Sequence, residues 1–228
     1  MRPRSKRYKK EAESAVGGPK NPVSLSEAVE KVKSFKGVKF DQTVECVLHL
    51  GIDTKQSEQL IRGSMSLPHG VGKQKRVIAF CEGSDVEAAQ KAGAIEVGCE
   101  ELIKKVTDGW MDFDVAIASP RVMSKVGKLG RILGPQGKMP SPKNGTVTED
   151  VATVVTEFKA GKIEFKNDTG GNVHVAVGRQ SFDSQKLIEN IEAFISHIKR
   201  MKPTSAKGNY IKKVSLSATM SPGITVSI

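Results

Sequence analysis

Hydrophobic and polar positions alternate strictly in several segments near the two ends of this chain. In FDQTVECVLHLG (40–51), the residues Val44, Cys46, Leu48 and Leu50 share one predicted face. This period of two is typical of a strand with one buried and one exposed side. The same pattern recurs in KIEFKN (162–167), NVHVAVG (172–178), YIKKVSLSAT (210–219) and GITVSI (223–228). Amphipathic helices are predicted from Ser24–Ser26 to Ser34 and from about Asp183 to Arg200.

The middle of the chain has a different pattern of apolar and polar residues. RVIAFC (76–81) and DVAIAS (114–119) are nearly continuous apolar runs, separated by the helical patterns SDVEAAQKAG (84–93) and CEELIKKVTDG (99–109). A further helix is predicted to be capped at Thr148 and to stop at Gly161. Continuous apolar strands that alternate with helices indicate a parallel sheet covered on both faces.

These two patterns predict a mixed α/β and α+β chain of two domains. A discontinuous α+β domain, an antiparallel sheet with helices, is expected over 22–67 plus 160–228. A three-layer, Rossmann-like α/β domain over 68–159 interrupts it, and residues 1–21 form a basic flexible tail.

Charge points to an anionic partner. Lys and Arg number 36 against 25 Asp and Glu, so the net charge is +11. A solvated basic surface is the plainer explanation, but an excess this large favours nucleic acid. Basic residues concentrate in the first ten positions, in the glycine-rich stretch 127–145, and after Ala193, beyond which there is no acid. The first ten positions suggest an arm that settles on RNA rather than an organelle transit peptide.

The stretch GKLGRILGPQGKMPSPKNG (127–145) has the glycines of a phosphate-binding loop. Its four basic side chains, Lys128, Arg131, Lys138 and Lys143, are available to a phosphate backbone if the stretch is a rigid surface loop. However, it contains neither GxGxxG nor a P-loop. A nucleotide- or phosphate-binding enzyme of Rossmann-like type therefore remains only the alternative hypothesis.

Catalytic and metal chemistry have no visible centre in the sequence. The four histidines are scattered, and none lies at ligand spacing from a cysteine or another histidine. The three cysteines are far apart, as expected for structural thiols in a reducing cytoplasm. No apolar run approaches the roughly 20 residues of a membrane helix. We therefore expect no cofactor, no metal, no membrane partner and no enzymatic activity.

Recognition of bases or sugar hydroxyls requires groups held on a rigid surface. Phe40, Thr43, Glu45 and the turn from Ser217 to Gly223 are candidates, because they lie on or beside the exposed faces of predicted strands. The simpler hypothesis is that Phe40 and Met220 are core residues.

Several long sequence motifs of this chain resemble those of one family. They are KFDQTVE (39–45), LGID (50–53), RGSMSLPHGVGK (62–73), DGWMDFD (108–114), KLGRILGPQGKMPSPKNGTV (128–147), GKIEFKND (161–168) and KPTSAKGNYIKKVSLSATMSPG (202–223). Through them, practically all of residues 20 to 228 resembles the large-subunit ribosomal protein L-one family, in its bacterial or organellar form. DGWMDFD and GRILGP are the most specific motifs of this resemblance.

The resemblance implies that the split domain binds large-subunit rRNA. The rRNA contacts it carries onto this sequence are Lys39, Phe40, Thr43, Glu45, Lys166, His174, Ser217, Thr219, Met220, Ser221 and Gly223. It further implies the mobile stalk beside the tRNA exit site of the ribosome, help with release of deacylated E-site tRNA, repression through the own-operon mRNA, and a monomer off the ribosome.

Two positions depart from the family pattern. Ser221 stands where the family usually has glycine, so a backbone with positive φ there would be strained. Gln136 replaces the usual arginine of GPRG and removes one charge from the glycine-rich stretch.

Overall fold

The structure is a computed structural model that describes residues 5–15, 22–35 and 37–227. The described residues form a mixed α/β fold of helices and three sheets. The α-helices are α1 (Lys6–Ser14), α2 (Leu25–Ser34), α3 (Ser84–Lys91), α4 (Glu100–Thr107), α5 (Met123–Val126), α6 (Gly130–Leu133), α7 (Val151–Ala160) and α8 (Ser184–Arg200). The strands are β1 (Thr43–Leu50), β2 (Arg62–Ser66), β3 (Val77–Phe80), β4 (Glu96–Gly98), β5 (Val115–Ala118), β6 (Lys162–Lys166), β7 (Asn172–Arg179), β8 (Ile211–Ala218) and β9 (Ile224–Val226).

The chain divides into two compact units. One combines Met1–Gly72 with Phe165–Ile228, and the other is Lys73–Glu164. The boundaries predicted from sequence fall five residues earlier at each crossing, at 67 against 72 and at 159 against 164.

The discontinuous unit is built on a four-stranded sheet in the order β7-β1-β8-β9. β1 pairs antiparallel with β7 on one side and with β8 on the other. The inner positions of β1 are all buried, as the alternation predicted, and α2 and α8 pack on that side with their apolar faces. The core therefore lies on one face of the sheet, and the other face is left without a helix in the part of the chain described.

The second unit contains a three-stranded parallel sheet in the order β4-β3-β5. Ile78 and Phe80 of β3 pack in one apolar cluster, with α4 and the residues of α5 and α6. Val77 and Ala79 belong to a second cluster with α3 and α7. Because adjacent residues of a strand point to opposite faces, each face of this sheet has its own core.

Three local expectations are wrong. Residues 6–14 of the predicted flexible tail form α1, which Ser5 caps by accepting a hydrogen bond from the amide of Tyr8; residues 1–4 and 16–21 lie outside the described residues. The helix α7 is capped by Asp150 rather than Thr148, since the Asp150 carboxylate accepts from the amide and hydroxyl of Thr153.

The glycine-rich stretch is the third. Instead of a continuous surface loop it begins with helical turns, a 3-10 turn over Gly127–Leu129 followed by α6. Leu129 and Leu133 are buried in the core, and this burial outweighs the low helix propensity of the glycines around them. Only Gly137 and Gly145 within the stretch have positive φ.

Stability of the discontinuous unit should depend on Asn190, which is fully buried on α8. Its side-chain amide donates to the carbonyls of Gly70 (3.0 Å) and Val177 (2.8 Å), and its oxygen accepts from the amide of His69 (3.1 Å). Asn190→Leu leaves these three groups unpaired, so we expect the free energy of unfolding to fall by about 2–4 kcal/mol. Urea denaturation measures it.

The matched control is Glu192→Leu, on the exposed side of the same helix. Its cost should stay within about 0.5 kcal/mol. Equal stability of the Asn190→Leu protein and the wild type would contradict this account of the buried amide.

Candidate nucleic-acid interface

The open face of the four-stranded sheet brings several predicted contact residues together. Glu45 on β1 lies between Ser217 of β8 and Ala176 of β7 in register. Two residues along, Val47 lies between Ser215 of β8 and His174 of β7. Glu45 and His174 are exposed, and Ser217 is partly exposed. Hydrogen-bonding groups from three strands therefore share one rigid, solvent-facing surface, which we call the open sheet face.

Thr43 connects this face to the turn after β8. Its amide donates to the Thr219 hydroxyl (3.1 Å), and its carbonyl accepts from the Thr219 amide (3.1 Å). Thr43 and Thr219 thus fix the end of β8 against the start of β1. Gly223 is exposed between this turn and β9.

Phe40 and Met220 are exposed, at 50% and 52% of their surface. The hypothesis that they are core residues is therefore wrong for both. Phe40 precedes β1 and Met220 follows β8, so both lie beyond the same end of this antiparallel pair. Large apolar side chains this exposed offer contact surfaces for bases. Lys39, next to Phe40, is also exposed.

Lys166 lies outside the four-stranded sheet, as the last residue of β6. It is exposed, and the neighbouring Asn167 forms a single bridge with Val173, one residue before His174. Lys166 therefore directly precedes the residue that bridges to β7, and it does not pair with β1.

A buried glutamine holds the turn in place. Gln42 is fully buried, and its side-chain oxygen accepts from the Met220 amide (3.0 Å) and the Ser221 hydroxyl (3.3 Å). Its amide group donates to the carbonyl of Phe35 at the end of α2 (3.3 Å) and to the side-chain oxygen of Gln180 (3.1 Å). One side chain thus fastens three segments of chain that are distant in sequence.

Sequence reasoning missed Gln42, Ser215 and Lys213. The signal for Gln42 was present, since the alternation of β1 extended back by two residues points a polar amide inward. Ser215 and Lys213 have the same strand parity as Ser217, and Lys213 pairs in register with His49. The open sheet face is therefore wider than the predicted set.

Hydrogen bonds shape the electrostatics at the β7 end of this face. Asp168 accepts from the side chain and backbone of Asn172 and from the amide of Gly170. These bonds, chiefly those from Asn172, lower the pKa of the Asp168 carboxyl, and the electrostatic interaction with nearby His174 acts in the same direction. The carboxylate is thereby stabilised in its ionised form.

The basic residues predicted in the glycine-rich stretch belong to the second unit and differ in accessibility. Lys128, Arg131 and Lys143 are exposed. Lys138 is half-buried, and its ammonium donates to the carbonyls of Met111 (3.1 Å) and Phe113 (2.6 Å) and lies over the Phe113 ring. The expectation that Lys138 is available to a phosphate backbone is therefore wrong in this structure, where that side chain serves local packing.

Two of the three cysteines, Cys46 and Cys81, have buried thiols. Burial raises the pKa of Cys46 to about 12 and that of Cys81 to about 11, which keeps both thiols protonated. Within the described ranges, no group of three or more His, Cys, Asp or Glu residues could hold a metal ion. In the same ranges, no helix has the length and apolar character needed to cross a membrane.

Comparison with known proteins identifies the family. The model of the ribosomal protein L1p/L10e family matches residues 31–222. The chain belongs to this family. It is 55% identical over 227 residues to the large ribosomal subunit protein uL1 of Rhodopirellula baltica, covering all of both chains. It is 50% identical over 224 residues to that of Kosmotoga olearia, covering 98% of this chain and 96% of the relative. The Thermobifida fusca protein of the same name is 48% identical over 223 residues, covering 98% and 94%.

Ser221 and Gln136 are the two positions expected to depart from the family pattern. Within the described residues only glycines have positive φ, so Ser221 does not carry the strain considered from sequence. Its side chain is buried against Gln42, and its amide donates to the Ala218 carbonyl (3.0 Å). Serine is therefore compatible with the turn here. Gln136 is exposed.

Replacement of the buried glutamine should loosen the candidate turn specifically. Gln42→Leu removes the acceptor of the Met220 amide while keeping a side chain of similar size. We expect hydrogen exchange of the Met220 amide to accelerate about 10-fold or more, because a bond worth about 1.4 kcal/mol is lost. Exchange measured by NMR under native conditions tests this.

Gln90→Leu, at an exposed position of α3, is the control and should leave the Met220 amide unchanged. If the Met220 amide exchanges at the same rate in the Gln42→Leu protein as in the wild type, Gln42 does not hold the turn.

Proposed function

We propose that this protein is a structural constituent of the large ribosomal subunit that binds large-subunit rRNA, located with the ribosome in the cytoplasm. The observation that carries the proposal is the open sheet face, where Glu45 and Ser217 lie in register, with exposed Phe40 before the start of β1 and exposed Met220 after the end of β8. Membership of the L1p/L10e family and the names of its relatives support the same function. No enzymatic role is part of it.

The proposed contact residues, on the open sheet face and beside it in sequence, suit RNA because they offer different chemistry at different positions. Glu45 accepts hydrogen bonds from ribose 2′-OH or base amino groups, and the Ser217 and Thr219 hydroxyls donate or accept. Phe40 and Met220 offer apolar surface to unpaired bases. Lys39 and Lys166 neutralise phosphates. Ser221, Gly223, Thr43 and His174 complete the proposed rRNA contacts.

We also propose the finer roles that accompany this site. The protein forms the mobile stalk at the E site, contacts E-site tRNA and assists release of the deacylated form. It represses its own synthesis by binding own-operon mRNA that mimics the rRNA site, and it is a monomer off the ribosome. Lys73–Glu164 is the Rossmann-like insertion in this proposal, which the parallel sheet with a core on each face supports.

Specific binding should depend on the open sheet face and on the exposed Phe40 that precedes β1. At roughly 0.15 M salt, we expect the protein to bind a stalk rRNA fragment much more tightly than an unrelated RNA duplex. Phe40→Ala should weaken stalk binding by about 1–3 kcal/mol through the loss of stacking, with little effect on duplex binding. Gel-shift titrations measure both, and an own-operon leader serves as a third RNA that separates repression from ribosomal binding.

Leu60→Ala is the matched control, since Leu60 in the same unit is 49% exposed against 50% for Phe40. It should bind the stalk fragment as the wild type does. Equal wild-type affinity for stalk RNA and duplex would refute specific recognition. Equal losses in the two alanine variants would refute the role of Phe40.

The exposed cations of the second unit should act without sequence preference. In Lys128→Ala/Arg131→Ala/Lys143→Ala, we expect stalk and duplex affinities to fall together and the salt dependence to flatten by about two units of slope. The ratio of the two affinities should stay constant. Selective loss of stalk binding would show instead that these residues read the RNA, and titrations at four salt concentrations distinguish the outcomes.

A further inference from the structure

The helix α1 docks against the candidate RNA-binding turn. The Arg7 guanidinium donates to the Met220 carbonyl (2.9 Å) and forms an ion pair with Glu11 (3.1 Å). The same Arg7 side chain lies against Gly37, where an added Cβ would come within 2.3 Å of it. The helix therefore spans two segments of the proposed site, the one that leads to Phe40 and the turn that follows β8.

A cleft of about 370 Å³ opens at this junction. Its lining combines the first turn of the helix with the β8 turn: Ser5, Arg7, Tyr8, Thr219, Met220 and Ser221. The volume lies in the range of small-molecule sites, roughly 300–1,000 Å³. Tyr8 and Met220 contribute an aromatic ring and a half-exposed thioether to the same cleft. Such a lining suits a flat, partly apolar group such as a nucleobase.

The order of charges along α1 does not stabilise the helix. Arg7, Tyr8 and Glu11 are half-buried, whereas Lys6, Lys9 and Lys10 are exposed. The first turn has no acidic residue and the last turn no basic one, which is opposite to the order that stabilises a helix. Lys6, Lys9 and Lys10 therefore present positive charge outside the cleft, on the helix that forms one of its walls, although these charges do not favour that helix.

A rigid cover over the turn is the competing explanation, and the exposure of the turn speaks against it. Met220 remains 52% exposed, and Thr219 is exposed as well, with α1 docked. The helix therefore borders the turn and leaves it accessible.

We propose that α1 and the β8 turn form a binding cleft for one unpaired nucleotide of the RNA, a site that rests on the proposed function. The base enters beside Tyr8 and Met220, and the flanking phosphates meet Lys6, Lys9 and Lys10. Arg7 is a positioning residue that holds the helix, and the helix extends the open sheet face by a second wall.

Two variants of the full-length protein test the cleft with a stalk fragment of large-subunit rRNA as probe. Tyr8→Leu keeps an apolar side chain but removes the ring, and its affinity should fall about 5- to 150-fold. Lys6→Ala/Lys9→Ala/Lys10→Ala leaves the docking residues intact. Its affinity should fall about 10-fold or more, and its salt dependence should flatten by about two units of slope.

The matched control removes the same charge elsewhere, in Lys91→Ala/Lys104→Ala/Lys186→Ala, all of which are exposed. It should retain more affinity than the α1 triple variant. If the wild type prefers the stalk fragment, but Tyr8→Leu binds it as tightly as the wild type and the α1 triple variant binds it as tightly as its control, the cleft is refuted while the proposed function stands. If the wild type shows no preference for the stalk fragment over duplex, the proposed function itself fails.

Discussion

The central position of β1 is the constraint on which the discontinuous unit depends. This strand comes from the first fifty residues, yet both of its neighbours, β7 and β8, come from beyond residue 170. Antiparallel pairing on both sides satisfies the backbone of β1 and points its buried positions to the side of the sheet where α2 and α8 pack against the neighbouring strands. The core and the open sheet face of this unit are therefore both built from segments near the two ends of the chain.

The same pairing explains why the candidate site is rigid where it needs to be. Strand register sets Glu45 opposite Ser217, and the Thr43–Thr219 bonds secure the end of β8. Beyond the sheet, the buried Gln42 amide fastens the turn that carries Met220 and Ser221. Unsatisfied buried amides are costly, so this polar cluster selects one turn geometry over its alternatives. Exposed Met220 can then project from a fixed backbone.

The basic side chains serve different purposes, some in local structure and others at the exposed surface. The net charge of +11 does not distinguish these two groups. Lys138 is held by carbonyls and a ring, and Arg7 by Glu11 and the Met220 carbonyl, so both serve structure. Lys128, Arg131 and Lys143 remain exposed. In our proposal these give affinity without sequence preference, whereas the hydroxyls, Glu45 and Phe40 give discrimination.

The sequence alone determined the two hydrophobic patterns, the buried face of β1, the apolar face of α8 and the family. It could do so because the alternation of polar and apolar residues and the long specific motifs are local properties of the chain. It also supplied the candidate contacts, which remain predictions. Tertiary structure decided what depends on distant partners: the helical course of Gly127–Leu133 through burial of Leu129, the exposure of Phe40 and Met220, and the role of Gln42. The docking of α1 on the β8 turn belongs to the same class, since Arg7 and Met220 are 213 residues apart. No local pattern encodes a contact whose two halves lie at opposite ends of the chain.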